Sequence, residues 1–209
     1  MKYRNVIAVL VGVWFTFAVA AGALGVFKNA LGGLALPVGV AALVPVTIFL
    51  GWFTASAGFR QYLYGLNSLS LTLAHAWRVN GLVFLILSSY GLLPWLFSLP
   101  AGLGDMAIGI TAPWAARRLA NGEHTGAFIF WQLLGVLDLV AAIALGTTAR
   151  LIDPSAPGMG PMSVLPLSLV PTFFVPLLLM IHVVSIAQAR RWQDQDYSRL
   201  GEQAHSVAR

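Results

Sequence analysis

The chain of 209 residues is 58% hydrophobic and only 9% charged, whereas a soluble domain carries about 25% charged residues. So few charges cannot cover a globule with a water-compatible surface, which excludes a soluble globular protein and makes lipid the expected solvent. Because the sequence has no cysteine, disulfides, thiolate metal sites and cysteine nucleophiles are excluded as well. The net charge of +5 suits the basic cytoplasmic loops of a membrane protein, and no basic–aromatic pattern indicates nucleic acid.

Long apolar stretches predict six transmembrane helices. A helix needs about 20 apolar residues to cross the hydrocarbon core, and these stretches are continuous, unlike the alternating strands of a barrel. In chain order they cover residues 5–27, 34–57, 68–91, 96–116, 125–147 and 164–188. The expected fold class is all-α, a polytopic six-transmembrane-helix bundle over residues 1–189 with a polar cytoplasmic C-terminal tail over 190–209.

The distribution of lysine and arginine predicts the orientation of the bundle. With both termini cytoplasmic, the outside loops hold only Lys28 and Arg150. The inside segments then hold nine cations: Lys2, Arg4, Arg60, Arg117, Arg118, Arg190, Arg191, Arg199 and Arg209. Cytoplasmic loops carry such an excess of lysine and arginine. The sequence therefore predicts a multi-pass protein of the cytoplasmic (inner) membrane with both termini inside.

Five ionisable side chains fall inside the predicted spans: Arg78, Asp105, Asp138, His75 and His182. Each costs on the order of 2.5–3.5 kcal/mol to insert at a helix centre, so each needs a functional or structural reason. At about 1.5 Å per residue, Arg78 and the aspartates lie roughly ten to twelve residues from the cytoplasmic ends, near the midplane. The histidines lie about seven residues in. We therefore expect two adjacent polar layers inside the bundle.

Helical spacing places each aspartate on a face of small residues. Asp105 shares its face with Gly102 and Gly109, and Asp138 shares its face with Gly135. Small residues let helix backbones approach closely and are typical of helix–helix contacts in lipid. Both carboxyl groups are therefore expected to face the interior of the bundle.

One arginine does not neutralise two aspartates. Arg78 is the expected partner, because its planar guanidinium donates paired hydrogen bonds to carboxylates. Pairing it with Asp105 and Asp138 leaves one uncompensated negative charge, which is very unfavourable at low dielectric. An aspartate or a histidine is then protonated, or a cation binds. The cluster is therefore predicted to respond to protons or cations.

Three segments resemble a family of small bacterial membrane proteins. They read RVNGLVFL from position 78, LPAGLGD from position 99 and PTFFVPLLLMIH from position 171. The family is an uncharacterised one of multi-pass inner-membrane proteins. The resemblance implies a bacterial cytoplasmic-membrane setting, and it brings no activity, substrate or cofactor with it.

The first functional interpretation is proton- or cation-linked transport of a small solute. In this interpretation Asp105 and Asp138 are the protonatable or cation-binding carboxylates, and Arg78 supplies a fixed counter-charge or an anion contact. His75 and His182 form a proton relay toward the cytoplasm. Protonatable groups at the midplane are typical of secondary transporters. Because six helices are few for a monomeric transporter, a homodimer is one option.

Three other interpretations stay open from the sequence. His75 and His182 are predicted at matching depths on separate helices, as a bis-histidine haem b requires, and Arg78 would pair with a propionate. The histidines and aspartates could alternatively hold a divalent metal in an intramembrane hydrolase. A structural role is the third interpretation, in which the buried ion pairs order an accessory subunit of a larger membrane complex. That role predicts a closely packed midplane without a cavity.

Overall fold

The computed structural model describes residues 2–28, 36–121 and 125–207, and the regular secondary structure of these residues is helical, with no strand among them. Six helical stretches are long and apolar enough to cross a membrane. They are Tyr3–Ala23, Pro37–Ala55, Ser68–Ser89, Trp95–Ala120, Thr125–Ile152 and Val170–Asp194. The predicted all-α fold with six membrane-length helices is confirmed. The orientation of the termini stays a prediction.

The first two long helices enclose an apolar crevice. Helix α1 (Lys2–Ala23) and helix α2 (Leu36–Ala55) line a space of about 740 Å³ between them. Helix α1 is tied to the last span by the indole Nε1 of Trp14, which donates to the carbonyl of Thr172 at 3.1 Å. The crevice walls are apolar side chains of both helices, so this side of the bundle suits lipid contact.

A short helix that the sequence analysis did not predict follows α2. Helix α3 (Ala57–Tyr64) is preceded by Ser56, whose extended backbone separates it from α2. The hydroxyl of Ser56 accepts a hydrogen bond from the backbone N–H of Phe59 at 3.2 Å. This is the usual N-cap arrangement. The predicted second span, 34–57, therefore ends at residue 55, because the chain turns into a new helix there.

The third span changes its winding near its middle. It consists of α4 (Ser68–Ala74), a 3₁₀ stretch (His75–Gly81) and α5 (Leu82–Ser89). Three residues make one turn of a 3₁₀-helix, so His75, Arg78 and Gly81 share a single face, and all three are buried. In an α-helix each step of three residues would rotate the side chain by about 60° away from that face.

Helices α6 (Trp95–Ala120) and α7 (Thr125–Ile152) form the centre of the bundle together with the 3₁₀ stretch. A Cβ atom at Gly109 of α6 would fall on the backbone nitrogen of Val79, so only glycine permits this approach. The close approach brings the buried face of the 3₁₀ stretch directly against α6. The polar residues of the two segments are thereby placed side by side.

The last span begins with a π-helical turn, Val170–Phe174, and continues as α8 (Val175–Val207). Pro171 lies in this turn, and a proline cannot donate the usual backbone hydrogen bond, which favours such local rewinding. Helix α8 runs past residue 190 without interruption. The division of the chain at residue 190 stays a prediction.

Candidate functional site

Arg78 is the centre of a buried charged cluster. It lies near the middle of the span Ser68–Ser89 and is only 2% exposed. Its Nε donates a hydrogen bond to Oδ1 of Asp105 at 2.6 Å, and its Nη2 donates to Oδ2 of Asp138. The guanidinium therefore joins α6 to α7 and holds both carboxylates. In their ordinary ionised forms the three side chains sum to a charge of −1.

The remaining guanidinium nitrogen determines the tautomer of His182. Nη1 of Arg78 donates to the carbonyl of Gly135 at 3.3 Å and lies 3.1 Å from Nε2 of His182. Because a guanidinium can only donate, Nε2 must accept. The ring proton is then on Nδ1, where it faces Oε1 of Gln132. We infer that His182 is neutral in this state and cannot take a proton on Nε2 while Arg78 occupies that position.

His75 stacks on the ring of His182. The two rings stack with centroids 3.8 Å apart and planes 19° apart, and the ring of Trp131 lies nearly perpendicular to His75 with centroids 5.8 Å apart. His75 is completely buried, and within the described ranges neither of its ring nitrogens has a hydrogen-bond partner. An unsatisfied buried polar group costs about 1–3 kcal/mol. His75 is thus the least satisfied member of the cluster.

Glycines make room for the charged groups as well as for the helix contacts. A Cβ atom at Gly104 of α6 would fall on the carboxylate of Asp138. A Cβ atom at Gly135 of α7 would fall on the ring of His182 and would lie 3.2 Å from Nη1 of Arg78. Of these two glycines, Gly135 belongs to a small-residue face predicted from the sequence, whereas Gly104 does not.

A cavity of about 120 Å³ reaches Asp105 from one side of the bundle. Among the described residues that line it, Asp105 is the one charged side chain. The side chains of Asp105 and Asp138 are 15% and 13% exposed, against 1% for Arg78. At roughly 30 Å³ per molecule, this volume corresponds to about four waters. The aspartates are therefore less tightly enclosed than the arginine.

The structure brings all five ionisable residues from the sequence analysis into one place. Arg78 contacts Asp105, Asp138 and His182 directly, and His75 joins through its stacking on His182. Sequence reasoning missed Gln132, which is fully buried and faces His182. Its position could have identified it, because Gln132 lies three residues before Gly135 and six before Asp138, on neighbouring turns of the same helix.

The two histidines do not fit a bis-histidine haem. Axial ligands approach the iron from opposite sides of the porphyrin plane. His75 and His182 instead lie face to face at 3.8 Å, which leaves no space for a macrocycle between them. Metal binding finds no support either, since no group of three His, Asp or Glu side chains in the described part of the chain could hold a metal ion.

Comparison with known families gives one match. Residues 34–190 match the model of a family described as a domain of unknown function, DUF8737. The match covers most of the chain and includes the whole cluster around Arg78, and the chain therefore belongs to this family. Comparisons with curated proteins and with solved structures found no match.

Proposed function

We propose that this member of an uncharacterised family moves a small solute across the membrane in a process linked to a proton. Membership of the family assigns no activity, so the proposal depends on the site alone. The observation that carries it is the cavity at Asp105, because this residue both lines the cavity and binds Arg78 through its carboxylate. A change of charge in the cavity therefore acts directly on the ion pair between Asp105 and Arg78.

The net charge of the cluster supports a proton as the coupled ion. Arg78 offsets one of the two carboxylates, and an uncompensated charge in the membrane interior is strongly unfavourable. A metal cation needs several oxygen ligands, about six to eight for calcium. The cluster offers two carboxylates, and both already bind the guanidinium. A proton needs a single carboxylate oxygen, so it fits the site better.

The positions of the five residues support distinct roles. Asp105 faces the cavity and would exchange protons with it, while Asp138 shares the excess negative charge. Arg78 is the fixed counter-charge between the aspartates and the histidines. His182 can receive a proton on Nε2 only when Arg78 moves away, and His75 lies directly behind it. The histidine pair would thus carry the proton onward toward the cytoplasmic side.

Flux measurements in proteoliposomes test this proposal. Vesicles containing the protein and a trapped pH-sensitive dye receive an imposed pH gradient. Pools of quaternary ammonium ions, amino acids, sugars or carboxylic acids are then added, with protein-free vesicles as the blank. We expect one pool to dissipate the gradient through the wild-type protein. Asp105→Asn and Asp138→Asn should slow this dissipation at least tenfold, because each removes one of the two proton-accepting carboxylates.

The matched control is Asp153→Asn, since Asp153 lies in an exposed loop where it accepts hydrogen bonds from Ser155. This variant should keep the wild-type rate. Two outcomes would reject transport. One is that no pool dissipates the pH gradient, and the other is that both Asp105→Asn and Asp138→Asn dissipate it at the wild-type rate. The cluster would then be interpreted as a structural ion-pair network.

A further inference from the structure

The cavity beside Asp105 combines one acidic residue with walls that are mostly apolar, and this combination restricts what can bind there. We propose that it binds a small apolar ammonium ion, which replaces the proton held by the aspartate pair. This inference depends on the proposed function and names the class of its solute. The charge, the walls and the surroundings of the cavity each support it.

The walls exclude most polar solutes. Most of the lining residues are apolar, among them Phe84, Phe97, Leu139, Met162 and Val175. The hydroxyls of Thr147 and Ser163 also line the cavity, and each already donates to a backbone carbonyl three or four residues earlier in the chain. Sugars, amino acids and carboxylic acids carry several polar groups, and each one buried without a partner costs about 1–3 kcal/mol. An ammonium ion with apolar substituents needs one carboxylate and otherwise prefers apolar and aromatic contacts. The rings of Phe84 and Phe97, with centroids 5.4 Å apart, offer such contacts.

The charge of the cluster makes the proton and the ammonium ion alternatives. With neither bound, Arg78, Asp105 and Asp138 sum to −1, and one added positive charge of either kind brings the sum to zero. With both bound, the sum is +1. Either net charge is costly at the centre of a membrane. The neutral states are therefore favoured, and they require the two cations to exchange one for one.

The membrane is the expected source of such a solute. Gly39 and Ala42 of α2 line the cavity, while Val40 and Val44 on the other side of the same helix line the apolar crevice of about 740 Å³. Helix α2 thus separates the crevice from the cavity. Pro45 lies inside α2 and removes one backbone hydrogen bond. The hydrogen bonding of α2 is therefore interrupted close to the place where the helix separates the crevice from the cavity.

Titration calorimetry of the purified protein with benzylamine tests the inference, and benzyl alcohol serves as the uncharged analogue of the same shape. We expect benzylamine to bind at least tenfold more tightly than the alcohol. Repeating the titration in buffers of different ionisation enthalpy should show the release of close to one proton per bound amine. Asp105→Asn should weaken amine binding at least tenfold and abolish the proton release.

A second pair of variants tests the location without changing any charge. Gly39→Leu places a large side chain in the cavity, whereas Gly51→Leu lies on the same helix away from it, and an added Cβ meets nothing within 4 Å at either position. Only Gly39→Leu should weaken amine binding, at least tenfold. Equal binding of amine and alcohol, binding without proton release, or wild-type binding by Gly39→Leu would overturn the inference. Proton flux with another solute pool would leave the proposed function standing in that case.

Discussion

Replacing Arg78 with methionine removes the cation that holds two carboxylates in the middle of the membrane. The methionine side chain is apolar and flexible enough to occupy the space, so the main change is electrostatic. With both carboxylates ionised, the summed charge of the cluster goes from −1 to −2, because Asp105 and Asp138 lose their common partner. Removing one partner of a buried ion pair costs about 3–5 kcal/mol. We expect Arg78→Met to lower the free energy of unfolding by about this amount.

The opposite substitutions should behave differently. Asp105→Asn or Asp138→Asn brings the summed charge from −1 to zero and leaves Arg78 with one ionised partner. The loss of one charge-assisted hydrogen bond, about 1.5–3 kcal/mol, is then offset by the removal of the unpaired charge. Each single asparagine variant should therefore be at most about 1 kcal/mol less stable than the wild type. Combining Arg78→Met with both asparagines should recover most of the stability lost in Arg78→Met alone.

Equilibrium unfolding in mixed micelles of mild detergent and SDS, followed by tryptophan fluorescence, measures these differences. A loss of 3 kcal/mol corresponds to a change of more than about hundredfold in the unfolding equilibrium constant. Arg78→Met with wild-type stability would refute the reasoning, because the carboxylates would then need no counter-charge. The reasoning would also fail if the single asparagine variants lost as much stability as Arg78→Met.

Two further predictions concern helix packing and orientation. Gly109→Ala should lower the free energy of unfolding by about 1–3 kcal/mol, because the added Cβ meets the backbone of Val79, whereas Gly12→Ala has open space and should not be destabilised. Equal stability of the two variants in SDS unfolding would contradict this packing. The chain has no cysteine, so Ser155→Cys should react with an impermeant maleimide in intact cells. Ala120→Cys should react only after permeabilisation, and the reverse pattern would contradict the predicted topology.

The general architecture could be predicted because it depends on local properties of the sequence. Stretches of apolar residues long enough to cross a membrane identify the six helices without any knowledge of their packing. The bounds are less certain, since a helix can continue beyond its apolar part. Helix α6, for example, includes Arg117 and Arg118, which lie outside the predicted span of 96–116. Apolar length therefore predicts that a helix exists better than it predicts where the helix ends.

The geometry of the site could be predicted only in part. The rarity of charge in the spans identified Arg78, Asp105 and Asp138 as residues that need partners. The stacking of His75 on His182 could not be foreseen, because it depends on the rotation of two spans that are about a hundred residues apart in the chain. The 3₁₀ winding that places His75 and Arg78 on one face has no clear signature in the residues that adopt it.

The 3₁₀ stretch also has a mechanical consequence for the third span. Its seven residues rise about 2.0 Å each, against about 1.5 Å in an α-helix, so the stretch is about 3.5 Å longer than α-helical winding would make it. Rewinding it would draw α4 and α5 together by that length and would turn Arg78 by about 60° relative to His75. Such a screw-like change within one helix would shift the arginine along the axis of the third span.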